Sequence, residues 1–281
     1  MARLSIGTAQ FGYNYGLFNN YESDKLNITN IFKKVALYNI EFIDTALSYG
    51  NAHQRLRALD LNNFKIITKI PAFEISTIDE SLERVFNGLG QENIYGVLFH
   101  NENDLTSKNS NTYLMNLNEY KENKKVNKIG VSIYSFQILN RILDKYSDYI
   151  DIVQVPFNIF DNRLYENNLM KYMKKCNIEV HVRSIFLQGL ALNSTYTNSY
   201  FLKWKTQLNN WFQWLKLNNL DPVDVCMSYV QNFDDIDVVI FGFNSEKQLD
   251  QILNHKKINI KDMPNFNIID ENFINPSKWK I

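Results

Sequence analysis

The chain has only two cysteines, Cys176 and Cys226. Both fall in helical patterns without metal-ligand spacing, which argues against a disulfide framework and suits free thiols in a reducing compartment. Charge of either sign is not in excess, because 30 basic residues balance 30 acidic ones. No basic tail or face therefore invites nucleic acid or an anionic membrane. The densest cationic stretch, Lys121 to Lys128, closes a predicted helix, where lysines complement the helix dipole and stay solvated. No apolar run approaches the ~18 residues of a membrane span, and the opening Met1-Ala-Arg-Leu-Ser-Ile-Gly7 lacks the apolar centre of a secretion signal. A soluble cytoplasmic protein is expected. No Gly-x-Gly-x-x-Gly follows a strand, so a Rossmann-type dinucleotide site is unsupported. Internal repeats, low-complexity tracts and interdomain linkers are also missing, and a single domain over 1–281 is the expectation.

Core material is plentiful: 45% of residues are apolar, with 19 Phe and 16 Tyr among 281. That is enough for one eight-stranded α/β barrel, which needs ~250 residues. Apolar strand candidates read as Leu4–Thr8, a short run ending at Asp44, Lys65–Thr68, Ile94–Phe99, Lys128–Ser132, Ile152–Val155, Ile178–Ser184 and Val238–Gly242. Helical patterns alternate with them: Asp24–Tyr38, Asn51–Leu59, a capped start at Ser76 running to Leu89, Ser110–Asn123, and a final helix from Ser245. Strict alternation favours a closed parallel (β/α)8 barrel of the TIM type. Between Phe201 and Tyr229 there are two helical patterns instead of one, an extra helix near the C-terminal part. Its stripe of Trp204, Leu208, Trp211, Phe212 and Leu215 reads as core.

The stretch from Glu41 to Asn51 organises the rest. Phe42 and Ile43 lead into Asp44, and Tyr49 follows in the loop. One βα interval later an apolar run ends at Lys69, and another interval later a run ends at His100. Strand ends of a parallel barrel converge on one mouth, so these four side chains are expected to meet. A tyrosine with an ordinary pKa of ~10 becomes a better acid beside an ammonium. A carboxylate beside the lysine holds it protonated, and a histidine orients a substrate oxygen. None of the four is a strong nucleophile, so reduction of a carbonyl would take its hydride from a cofactor.

Asp44-Thr-Ala-x-x-Tyr-Gly-Asn51, Thr68-Lys69 and His100-Asn101 together resemble the signature of the aldo-keto reductases, and the resemblance extends from Gly7-Thr-Ala-Gln-Phe-Gly12 to Pro276-Ser-Lys-Trp279. The chain looks similar to the bacterial branch found among surface-polysaccharide and nucleotide-sugar genes. The resemblance implies Tyr49 as general acid, tuned by Lys69 and Asp44, with His100 orienting the carbonyl. It also implies a nicotinamide cofactor laid across the barrel mouth from Gly7 and Thr8, NADP by family habit and NAD as the other option. Ser132 and Gln154 would hold the nicotinamide amide, and Arg183, followed by Ser184, stands where an aromatic usually stacks on the ring; a guanidinium plane can stack there too. Ile133 departs from the asparagine of the pattern. The loop Gly242-Phe-Asn244-Ser245 would cradle the adenosine phosphates on backbone amides, with Lys247 and Gln248 nearby.

The substrate is then a small carbonyl compound, and Tyr13, Tyr15, Tyr196, Tyr200 and Trp279 are aromatic candidates for stacking on a sugar-derived one. Two other classes fit the same fold: a cofactor-binding regulatory protein, and a redox-neutral nucleotide-sugar epimerase or dehydratase. Glu102 and Asp104 could be invoked as the paired carboxylates of a glycoside hydrolase, but they share one loop and no partner is indicated across the mouth. His53, His181 and His255 read as structural. A monomer or homodimer is expected.

Overall fold

A computed structural model of the chain describes residues 2–13, 16–18, 26–71, 75–195 and 198–281, and of residues 75–77 the backbone alone. The strands are β1 (Arg3–Gly7), β2 (Phe42–Asp44), β3 (Lys65–Ile70), β4 (Ile94–Phe99), β5 (Val126–Ser132), β6 (Ile152–Pro156), β7 (Glu179–Arg183) and β8 (Val238–Phe241). Each pairs in parallel with the next, and β8 pairs back onto β1, which closes the (β/α)8 barrel. The helices are α1 (Ala9–Gly12), α2 (Ile28–Leu37), α3 (Ala52–Arg57), α4 (Ile75–Leu89), α5 (Ser110–Glu122), α6 (Phe136–Tyr146), α7 (Arg163–Glu166), α8 (Leu169–Lys175), α9 (Lys205–Leu217), α10 (Pro222–Gln231), α11 (Glu246–Leu253) and α12 (Glu271–Ile274).

The two-residue period of a strand splits the core in two. Ile43, Ile66, Val97, Val131, Val153 and Val239 point outward into the layer shared with the helices. Phe42, Ile67, Leu98, Ile152, Val238 and Ile240 point inward and form a separate apolar cluster that fills the barrel. On β5 the inward place falls to Gly130, where a Cβ would lie 2.2 Å from the Ile152 carbonyl oxygen and 2.5 Å from the Leu98 side chain. Leu98 and Ile152 thus fill the space a side chain there would need. Below this layer Glu179 accepts from Tyr95 at 2.9 Å and pairs with Lys128 at 2.8 Å and with the ring of His181 at 3.1 Å.

Several expected boundaries move. The first long helix starts at Ile28, capped by the Asn27 side chain on the Asn30 amide, whereas Asp24 lies outside the described residues. Helix α4 already includes Ile75, so Ser76 sits inside it instead of capping it; its side chain lies outside the described residues. Ser245 does cap α11, through its hydroxyl on the Gln248 amide, but α12 follows it. The two helical patterns between β7 and β8 are α9 and α10, and Trp204, Leu208, Trp211 and Leu215 are buried in the outer core, with Phe212 half-buried. No helix among the described residues is long and apolar enough to cross a membrane.

Candidate active site

One strand step above the inward apolar layer, the same period aims the next side chains at the same axis. Asp44 follows Phe42, Lys69 follows Ile67, His100 follows Leu98 and Gln154 follows Ile152, each by two residues. The polar layer is therefore built by continuing the pattern of the core.

Lys69 is 1% exposed, and its Nζ donates to Asp44 Oδ1 at 2.5 Å and to the Thr45 carbonyl at 3.1 Å. The second Asp44 oxygen accepts from Gln154 Nε2 at 2.7 Å. Burial drives the pKa of Lys69 down; Asp44 pushes it back up, and Arg183 lowers it further. The ammonium stands 5.2 Å from the centre of the Tyr49 ring, within cation–π range.

The loop carrying Tyr49 is pinned to β3, with Thr45 N donating to Ile67 O at 2.8 Å and Leu47 N to Lys69 O at 2.9 Å. Beyond the tyrosine it presses on α1. A Cβ on Gly12 would lie 1.7 Å from the Tyr49 carbonyl oxygen, and one on Gly50 (φ +51°) would lie 2.4 Å from the Gly12 carbonyl oxygen. Two side-chain-free backbones meet there. The Tyr49 ring then sits edge-on between His100 (6.0 Å between ring centres) and Tyr13 (6.1 Å). His100 Nδ1 lies 3.1 Å from the Ser48 hydroxyl. Burial first, then the charges of Lys69 and Arg183, hold His100 down at about 4, so it is neutral at pH 7.

These groups form one end of a cleft of about 650 Å3, a size suited to a small-molecule or cofactor site. Gly7, Thr8, Ser132, Arg183, Ser184, Gly242, Asn244 and Gln248 line it together with Asp44, Tyr49, Lys69 and His100. Three expected residues do not. Gln154 is fully buried behind Asp44, Ser245 is engaged as the α11 cap, and Lys247 is exposed. The amide of Asn244, expected to face a phosphate, is satisfied by Gln248 Oε1 at 2.7 Å.

Arg183 lies over the Tyr134 ring at 4.0 Å and donates to the Ile133 carbonyl at 3.1 Å, so one face of the guanidinium is already covered. Ile133 sends its side chain into the outer core. Ser184, Leu187 and Gln188 all have positive φ, and Asn158 Nδ2 holds the Ser184 carbonyl at 3.0 Å. This strained loop meets the first one, with Leu17 N donating to Gln188 O at 3.3 Å.

Among the buried acceptors of the described residues that receive no hydrogen bond, Asn244 Oδ1 belongs to a residue that lines the cleft, at the Gly242 end. Leaving such an atom unpaired is costly, and an N–H group of a nicotinamide dinucleotide is chemically suited to it. The residues present fit the cofactor.

Sequence reasoning missed Ser48, Tyr134 and Asp221. A serine in a loop carries no signal of its own, and the other two reach the cleft through the register of neighbouring elements. Glu102, set aside as a hydrolytic acid, has a structural place: its carboxylate accepts from the amides of Tyr134 at 2.5 Å and Ser135 at 3.0 Å, fastening the loop after β5. Of the aromatics, Tyr13 lines the cleft. Tyr200 bonds the Asn272 carbonyl and Trp279 the Phe273 carbonyl, and both stand apart from it. Tyr15 and Tyr196 lie outside the described residues. His53 bonds Thr68 behind the site, and His255 bonds Ile252 and Gln231 at the end of α11.

Among solved structures, the chain is similar to aldo-keto reductase AKR11C1 from Bacillus halodurans in its holo form (TM-score 0.74, 16% identity, covering 94% of this chain and 90% of that one). It is also similar to glycerol dehydrogenase AKR11B4 from Gluconobacter oxydans (TM-score 0.71, 16% identity, 92% and 88%). A Pseudomonas aeruginosa protein assigned to the aldo-keto reductases gives a TM-score of 0.67 at 21% identity, with 90% and 89% covered. At these identities the likeness shows the fold alone. No curated protein matches the sequence. The model of the aldo/keto reductase family, however, matches residues 3–271, nearly the whole barrel together with the cluster of Asp44, Tyr49, Lys69 and His100, and the chain belongs to that family.

Proposed function

We propose that the chain reduces an aldehyde or ketone to the alcohol, with Tyr49 as the general acid. The observation that carries this reading is the buried Lys69–Asp44 pair set against the Tyr49 ring, with His100 edge-on to the same ring. A bound nicotinamide dinucleotide supplies the hydride. Tyr49 gives its phenolic proton to the carbonyl oxygen, and the Lys69 ammonium stabilises the phenolate that remains. Asp44, fixed by Gln154, keeps the lysine oriented. His100 is neutral, and with the Ser48 hydroxyl donating to Nδ1 its Nε2–H is free to donate to the same carbonyl oxygen.

Arg183, Ser132 and Gly7 would flank the nicotinamide end, and Gly242, Asn244 and Gln248 would hold the adenosine end. The rings of Tyr13 and Tyr134 on the cleft wall supply faces for a sugar-derived carbonyl compound. Tyr49→Phe removes the acid and leaves the ring. It is expected to abolish dinucleotide-dependent reduction of a generic aldehyde while leaving nucleotide affinity nearly unchanged. Turnover retained in that variant would remove Tyr49 from the role.

A further inference from the structure

Resting on the dinucleotide reading above, we infer that this cleft selects NADH over NADPH, with Asp221 as the residue that reads the adenosine ribose. The end of the cleft away from the catalytic cluster is walled by Asp221 and Pro222 at the start of α10 and by Gln248, Gln251 and Ile252 of α11. These side chains are amide, apolar and carboxylate. Among the described residues, the lysine and arginine side chains that line the cleft are Lys69 and Arg183, and both stand at the catalytic end. Lys247, the basic residue nearest in sequence, is exposed and does not line it.

Asp221 is committed on one side only. Its Oδ1 caps α10 by accepting from the amides of Val223 at 2.8 Å and Asp224 at 3.4 Å, while Oδ2 accepts from no described residue. A carboxylate anchored by one oxygen and open at the other suits the O–H of a ribose diol, a charge-assisted bond of the stronger kind. The same carboxylate repels a 2′-phosphate, a group bringing ~1.5–2 negative charges. The first amides of α10, which would otherwise attract an anion, are already taken by the cap. Ribose hydroxyl and ribose phosphate are therefore discriminated twice in one direction, by an acceptor gained and by a repulsion avoided.

The test is a binding titration of the full chain with NADH and with NADPH, followed by tryptophan fluorescence or calorimetry, independent of any carbonyl substrate. NADH is expected to bind at least about tenfold tighter, a difference of ~1.4 kcal/mol. Asp221→Asn keeps a capping oxygen, and Asn caps as well as Asp, so folding is preserved while the charge goes; the NADH:NADPH ratio should narrow. Gln248→Arg places a guanidinium at the same end and should bring NADPH to parity or beyond. Equal or tighter NADPH binding by the unaltered chain would overturn the preference, and an unchanged ratio in Asp221→Asn would overturn the role of Asp221. Binding of neither nucleotide is a different result, which overturns the dinucleotide reading itself and the preference with it.

Discussion

Lys69 carries an ammonium where almost no water reaches it. Desolvating such an ion costs several kcal/mol, which a partner at hydrogen-bond distance offsets only while both remain. Lys69→Met would leave Asp44 buried with Gln154 as its remaining side-chain partner, and a loss of about 3–5 kcal/mol in a urea titration is expected. Adding Asp44→Asn removes the stranded charge, so the double variant should recover most of that stability while staying inactive. A single variant as stable as the parent would show that the two groups do not form a buried ion pair. At this scale the sequence was informative where a residue ended an apolar run. Asp44, Lys69 and His100 were each legible because the preceding residues had to be strand. Gln154 was expected to hold the nicotinamide amide but lies buried behind the cleft, where its bond to Asp44 depends on the packing of β6, and Arg183 could not be assigned Tyr134 as a neighbour without the path of the loop after β5.

Strands and helices were legible in kind and order, and less so in extent. β4 runs over Ile94–Phe99 as expected, but β3 continues past Thr68 because Lys69 and Ile70 pair with Leu98 and Phe99. β5 begins at Val126, two residues early, because Ile94 pairs with it. Ladder ends are set by the neighbouring strand, which an apolar run does not reveal. The loop after β2 shows the same dependence on a neighbour, since its path is fixed by the approach of Gly50 to Gly12 on α1, with Arg55 Nη1 holding the Phe11 carbonyl at 2.8 Å. Gly12→Ala cannot fit without moving the tyrosine loop. It is expected to lower kcat by tenfold or more, ~1.4 kcal/mol or above in the barrier, with nucleotide affinity changed little because Gly12 does not line the cleft. Loss of affinity with kcat intact would place the strain elsewhere.

For the molecule as a whole, acid should act in two separate windows. His53 and His100 are both held at about 4, His53 by burial and then by Lys69 and Arg84, against an ordinary 6.5. The unfolded chain takes up these protons first, so stability present above pH 6.5 is lost as the pH falls toward 4, by on the order of 1 kcal/mol per unit for each histidine. For Glu179, burial pushes its pKa up, but bonds to His181 and Lys128 hold it well below the ordinary carboxylate value of 4.5. Its contribution is present above 4.5 and lost only below it. Thermal unfolding midpoints against pH check this: His100→Gln should flatten the slope between 6.5 and 4, and Glu179→Gln should leave that slope alone. An unchanged slope in His100→Gln would mean that the ring is charged in the fold. The carboxylate of Asp44 joins a lysine on the adjacent strand to a glutamine 110 residues further along the chain. A fragment that ends before β6 therefore lacks the side chain that holds the second Asp44 oxygen, and the buried pair is complete only once β6 has joined the sheet.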